Sequence, residues 1–276
     1  MTLNHFSPSL GGVGPGSQEG AELDYLPMPS DMRTFHASLP EVEDPERIRP
    51  ALTALKALAT AASRWTPEGG NLVVELPPLD DENRRVVADT LGEGEVSVRA
   101  RGEPSCDVQE SIFAGLWRVT TVGNGGADER IEIGRVPSAA LKTPPKRIFC
   151  PPETAAGVVN GPFIVTELVE RCHAHRPGDE PYAINLSLLP HTPEDLHYLE
   201  LALGQGEVSI LSRGYGNCRI DSTALEHVWR VRYFNSQDAL ILDVIEVSDI
   251  PEVACAAPED IADSVVRLEQ TLEAMA

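Results

Sequence analysis

Cys172-His173-Ala174-His175 is the stretch of this sequence whose residue types and spacing most resemble a set of metal ligands. A thiolate and two imidazoles suit a borderline-soft divalent ion. The run closes an expected helix, however, and no second ligand pair accompanies it; histidines at a helix C-terminus are favoured by the dipole alone. Cys106 and Cys218 hold equivalent positions in a repeated pattern. Together they would carry an iron–sulfur cluster only with further ligands, and buried inert thiols are the simpler reading. Glu95 and Glu207 each open an expected strand ahead of Ser97 and Ser209. Two carboxylates do acid–base work only if they converge in one cleft; equivalent structural stations are the simpler expectation. The Gly-x-Gly turns at 92–94 and 204–206 run from helix to strand, the reverse of a nucleotide loop. Gly92 and Gly204 are expected as left-handed helix caps. With no Gly-x-Ser-x-Gly elbow, P-loop or His-Glu-x-x-His helix, the residues point away from an enzyme.

The pattern that repeats is long. Leu91-Gly92-Glu93-Gly94-Glu95-Val96-Ser97 returns as Leu203-Gly204-Gln205-Gly206-Glu207-Val208-Ser209, an offset of 112 positions. In the same register Arg101-Gly102 meets Arg213-Gly214, and Trp117-Arg118-Val119 meets Trp229-Arg230-Val231. Such constant register marks a tandem duplication. A residue kept in both copies then serves the shared fold before it serves a single active site.

The elements that position these residues follow from periodicity. The first copy reads as a helix over 46–64, a strand over 71–76, a helix over 80–91, and strands over 95–101, 106–113, 115–122 and 129–136. The second reads as a helix over 160–175, a strand over 183–189, a helix opened by Thr192, Pro193 and Asp195, and strands over 207–213, 217–223, 227–234 and 239–247. A last amphipathic helix over 258–275 carries Ile261, Val265, Leu268, Leu272 and Met275 as one stripe, to be buried on the second copy, across the pair, or on a partner. The expected fold class is therefore α+β, with two tandem homologous repeats and mostly antiparallel sheets. Its domains are an extended tail over 1–44, repeats over 45–142 and 158–257, a proline-rich linker over 143–157 and a C-terminal helix over 258–276.

Twenty-two basic against 43 acidic residues give a formal charge of −21. No basic cluster offers a face for nucleic acid, and anionic membranes are disfavoured for the same reason. No apolar run is long enough to span a bilayer, and residues 1–20 lack the basic start and apolar core of a secretory signal. Five scattered cysteines, never Cys-x-x-Cys, indicate reduced thiols and a cytoplasmic location. Surfaces are then better candidates than pockets: Trp117 with Arg118, Trp229 with Arg230, the cleft between the repeats, and Tyr25 to Met28 in the tail.

A further set of motifs carries a family likeness. Gly14-Pro15-Gly16-Ser17-Gln18, the Leu91–Ser97 run, Ile112-Phe113-Ala114-Gly115-Leu116-Trp117-Arg118-Val119, Arg213-Gly214-Tyr215-Gly216, His227-Val228-Trp229-Arg230, and Ile250-Pro251-Glu252-Val253 with Ala257-Pro258-Glu259-Asp260 together resemble the HupH/HyaF hydrogenase expression/formation family. The resemblance covers almost the whole chain in order. It implies an accessory chaperone or scaffold in maturation of an uptake nickel–iron hydrogenase. The implied partner is the iron–sulfur small-subunit precursor before export, with other maturation proteins beside it. It carries over no catalytic residue and no resident cofactor; a transient iron–sulfur cluster, in a carrier or protection role, is the alternative. The small subunit's twin-arginine leader would be drawn to an acidic surface.

Overall fold

The computed structural model describes residues 46–123, 125–142, 149–214 and 216–275. Tyr25 and Met28 lie outside them, as do residues 143–148 of the proline-rich linker.

The first half runs α1 (Arg49–Ala62), β1 (Leu72–Glu75), α2 (Asp81–Leu91), β2 (Val96–Ala100), β3 (Ser105–Glu110), β4 (Leu116–Gly123) and β5 (Gly126–Ile133). The second runs α3 (Gly161–Ala174), β6 (Tyr182–Asn185), α4 (Pro193–Leu203), β7 (Val208–Ser212), β8 (Asn217–Ser222), β9 (Val228–Phe234) and β10 (Leu240–Val247), and α5 (Pro258–Ala274) closes the chain. Single-turn 3-10 segments at Ser138–Leu141 and Glu252–Ala254 follow the last strand of each half. The fold is α+β, with five helices and one large antiparallel sheet among the described residues.

That sheet has ten strands in the order β1-β5-β4-β3-β2-β7-β8-β9-β10-β6. Separate sheets for the two halves were the expectation; instead β2 pairs with β7, from Val96 opposite Ser212 to Ala100 opposite Val208. The pairing removes two exposed edges that would otherwise invite association with other chains. Strand alternation sorts the residues. Val96, Val98 and Ala100 of β2, with Val208 and Ile210 of β7 and Trp117 and Trp229, form a central core on one face, covered by the two 3-10 segments and Ile261. On the other face the cores are lateral. One gathers α1, α2 and most of α5 over Leu116, Ile131 and Ile133, and one gathers α3 and α4 over Val228, Ile245 and Val247. Between these lateral cores the middle strands carry no helix among the described residues.

Local chemistry fixes the helix ends. Thr192 caps α4 by accepting from Asp195 N–H at 3.0 Å, and the Asp195 carboxylate accepts from Thr192 N–H at 3.0 Å, as the Thr-Pro-x-Asp pattern predicts. The other carboxylate oxygen of Asp195 accepts N–H bonds from Val159, Asn160 and Gly161, at 2.7 to 2.9 Å, at the start of α3. In the first half Asn83 serves the start of α1, accepting from Ala51 N–H at 2.9 Å and donating to the Arg47 carbonyl at 3.2 Å.

Two local expectations need correcting. Gly92 and Gly204 do have positive φ, 57° and 61°, but ψ of −162° and −178° puts them in the extended region open to glycine alone, not in the left-handed helix region. The strand expected over 183–189 ends at Asn185, and Leu186–Leu188 form a 3-10 turn. There the Ser187 hydroxyl accepts the Asp243 N–H of β10 at 2.9 Å, so a side chain replaces the ladder bond, and Leu188 is left exposed.

Candidate functional site

The uncovered middle of the sheet is an open trough of about 860 Å³. Its floor is built by alternation: because Val96 and Val98 point into the central core, Ser97 and Arg99 must face the other way, and the same holds across β3, β7 and β8. Arg99, Arg101, Arg118, Arg213, Arg219 and Arg232 line it against three carboxylates, Glu93, Asp107 and Asp221. A chain of net charge −21 thus concentrates six cations in one recess.

Two of the carboxylates are already paired with arginines. Asp107 takes Arg99 at 2.8 Å, and Asp221 takes Arg232 at 2.7 Å while accepting from the Ser209 hydroxyl at 2.8 Å. Arg219 lies over the Phe234 ring, 5.3 Å from its centroid. Arg232 Nε is buried and unpartnered among the described residues. Arg118, Arg101 and Arg213 form no ion pair among the described residues, and Arg118 also reaches a second recess of about 680 Å³ beneath α2. Free guanidinium forks on a rigid floor suit carboxylates, backbone carbonyls and aromatic faces of an incoming segment. Among the described residues neither histidine nor cysteine lines the trough, and the Ser209 hydroxyl there is held by Asp221, itself paired with Arg232.

The residues singled out from sequence separate on this frame. Trp117 is fully buried and its indole N–H donates to the Gly134 carbonyl at 2.8 Å; Trp229 is 5% exposed and donates to the Ser248 carbonyl at 3.2 Å. Both are core residues, so direct partner contact by the tryptophans is corrected: alternation sends Trp to the core face and the following Arg to the trough face. The two arginines differ in turn. Arg118 is free, whereas Arg230 is bound by Asp243 at 2.8 Å and Glu200 at 3.3 Å.

Glu95 and Glu207 do not converge. They lie at opposite ends of the β2–β7 seam, where Glu95 C=O accepts from Arg213 N–H and Glu207 C=O accepts from Arg101 N–H. Each side chain crosses onto a glycine of the other half. A Cβ at Gly214 would sit 2.1 Å from Glu95 Oε2, and one at Gly102 would sit 3.0 Å from Glu207 Oε2. The repeated Glu and Arg-Gly therefore form a reciprocal lock on the seam.

The thiols are scattered. Cys106 and Cys218 are buried on the central-core face, away from the trough, and burial pushes the Cys218 thiol up to about 11. Cys172 donates its S–H to the Glu226 carbonyl at 3.0 Å. His173 is exposed, while His175 turns inward, where Asp249 and His227 meet it. Nothing in the sequence joined His227, seen there only within a family motif, or Asp249 to the Cys172 run, since both are remote from it.

The family described as "HupH hydrogenase expression protein, C-terminal conserved region" matches residues 48–146 and 158–275. "Hydrogenase expression/formation protein HupH" of Rhodobacter capsulatus is 49% identical over 285 residues, covering 100% of both chains. "Hydrogenase expression/formation protein HoxQ" of Cupriavidus necator is 42% identical over 277 residues, covering 98% of each. "Hydrogenase-1 operon protein HyaF" of Escherichia coli is 32% identical over 277 residues, covering 96% of this chain and 95% of that one. A solved structure, "Hydrogenase expression protein HupH" from Thiobacillus denitrificans, is 33% identical and covers 42% of this chain and 96% of that chain, with a TM-score of 0.39. Because the family match runs through both halves of the sheet and full-length relatives share it, the chain belongs to the HupH hydrogenase expression protein family.

Proposed function

We propose that this protein is a cytoplasmic accessory chaperone of hydrogenase maturation that holds a segment of an unfinished hydrogenase component in the arginine-lined trough. The observation that carries this reading is the trough itself: open, sheet-floored and cationic within an acidic chain. Family membership supplies the process. Among the described residues no helix is long and apolar enough to cross a membrane.

The proposed client is the small-subunit precursor. Its basic leader would be held by the acidic exterior, while Arg118, Arg219 and their neighbours take an acidic or carbonyl-rich segment of the subunit body. The recurring seven-residue run and the identical succession of elements support reading the halves as tandem copies of one unit. An iron–sulfur carrier role finds little support in the thiols, since Cys106 and Cys218 are buried in the core away from the trough.

The test is an oxygen-free pull-down from cells making the hydrogenase, comparing the tagged protein with an Arg118→Glu, Arg219→Glu double variant. Small-subunit precursor should accompany the wild type and be lost from the variant. Equal recovery by both would remove the trough from the reading, and recovery of no hydrogenase component would remove the reading itself. Iron retained in the purified wild type would favour the carrier.

A further inference from the structure

At the turn before β9 the second half departs from the first. His227 has φ of +60°, a region that disfavours any side chain with a Cβ, while the residue at the equivalent station of the first half is Gly115, at +76°. A non-glycine residue at positive φ persists where the surroundings hold it, and such strain gathers at functional sites. His227 is held against two polar groups. Its ring centroid is 4.7 Å from that of His175, at the end of α3, and its Nδ1 is 3.7 Å from Asp249 Oδ1. His175 Nε2 is 2.9 Å from the same oxygen. One ligand-type atom from each residue lies within 4.8 Å of the others.

We propose that His175, His227 and Asp249 form a binding site for a first-row divalent transition ion of the zinc, nickel or ferrous class. Two imidazoles and one carboxylate are the donor set such ions take when further positions remain open to water or substrate. Bonds of about 2.0–2.2 Å require the three ligand atoms to draw closer together. Asp249 and His227 can do this, since their side chains are 39% and 29% exposed, while His175, at 4%, is the fixed anchor.

The supporting shell fits the same chemistry. Gly178 N–H donates to Asp249 Oδ2 at 2.7 Å, which orients the carboxylate and leaves Oδ1 for the ion. With His227 Nδ1 directed at the ion, Nε2 faces Glu226 Oε1 at 3.6 Å, so a carboxylate stands behind the ligating imidazole. A recess of about 40 Å³ lined by Glu226, His227 and Asp249 adjoins the site. Lys142 borders that recess, but its ammonium donates to the Pro104 carbonyl at 3.2 Å. His173, although next to the anchor helix end in sequence, takes no part.

The experiment uses the full chain without a histidine tag, stripped with chelator and desalted. Zn²⁺ is titrated calorimetrically, and Co²⁺ is followed by its visible ligand-field bands. The wild type should bind one ion per chain. His227→Gly and Asp249→Asn should each weaken binding by at least ~100-fold, Glu226→Gln by ~10-fold, and His173→Ala not at all. Glycine is at ease at positive φ, so His227→Gly without metal should melt no lower than the wild type, which separates loss of a ligand from loss of fold. Absence of binding to the folded wild type, or undiminished binding by both His227→Gly and Asp249→Asn, overturns the proposal. So does loss of binding in His173→Ala, which would assign the ion to the Cys172 run. None of these readouts depends on a hydrogenase client.

Discussion

Gly115 and His227 stand at the same station of the two halves, and the difference between them begins with α5. Although α5 follows the second half in sequence, it packs on the first, placing Val265, Leu268, Leu272 and Met275 in the core of α1 and α2. On its way it passes over Gly115, where a Cβ would meet Ile261 Cγ1 at 2.5 Å. The turn at His227 is left without such a helix, and a polar cluster fills the space. Other stations diverge in the same manner. Asn83 serves the first helix pair and the anion Asp195 the second; Glu110 is buried where Ser222 stands in the other half; Arg118 is free where Arg230 is tied to Asp243. A shared frame fixes backbone and core, and side chains are at liberty to differ where each half meets a different neighbour.

Exchanging residues between stations tests this contrast. The largest effect is expected from Gly115→His, which copies the second half into the first. Positive-φ strain and collision with Ile261 should cost about 4 kcal/mol and unseat α5, seen as a lowered denaturant midpoint and fast amide exchange in α5. The reverse exchange, His227→Gly, should leave the midpoint level or higher. Retention of α5 protection in Gly115→His would show that the helix is not held by this crossing.

Asp195→Ala should come next, at about 3 kcal/mol, because the N–H groups of Val159, Asn160 and Gly161 lose a buried acceptor together. Those hydrogen bonds, from four backbone amides including that of Thr192, outweigh the effect of burial and hold the Asp195 pKa below its ordinary value. Its stabilisation is therefore complete above the unfolded pKa of 3.8 and is lost only as pH falls below it. Acid denaturation of the variant should lack that component, and the loss in urea should localise to α3 and α4.

Arg230→Ala and Arg118→Ala should separate stability from binding. The first strands buried Asp243 and should cost about 2 kcal/mol, discounted from the fully buried case because Arg230 remains partly exposed. The second should cost less than about 0.5 kcal/mol while weakening client capture. Equal stability losses would contradict the assignment of Arg118 as the free member.

Glu110 yields a modest gain in place of a loss, and a pH signature. Burial raises its pKa from 4.5 to about 7, partly offset by N–H bonds from Gly115 and Val96. Between these values the folded protein keeps a proton that the unfolded chain has released, so stability falls as pH rises from about 5 to 7 and then levels. Glu110→Gln should flatten that slope and gain about 1–2 kcal/mol at pH 8, a discount on the ~1.4 kcal/mol per pKa unit of full linkage. A melting profile that stays parallel to the wild type across pH 5 to 8 would show that Glu110 ionises freely.

How much was readable in advance follows from the range of each interaction. Thr192, Pro193 and Asp195 announced α4 because a capping box closes within one turn. Alternation in Val96–Ala100 and Leu116–Val122 gave both strands and, with them, the placing of Trp117 toward the core and Arg118 away from it. Leu186–Leu188 misled because an alternating apolar pattern does not reveal that Ser187 will take the Asp243 amide. Of the Cys172 run, His175 was the member that mattered, and its pairing with His227 and Asp249 could not be read from residues so far apart.

By itself, then, the sequence determined the succession of elements, the positions where glycine is needed, the repetition at a constant offset and the family likeness. Each of these depends on neighbours within a few turns or on comparison of one stretch with another. Only the tertiary structure decided that β2 and β7 join the halves into one sheet, that α5 crosses to the first half, which arginines stay unpaired in the trough, and that an imidazole from α3 meets a carboxylate 74 residues away. These depend on which apolar faces and strand edges bury each other best among many alternatives. That choice is made by the whole chain at once and leaves no local pattern to read.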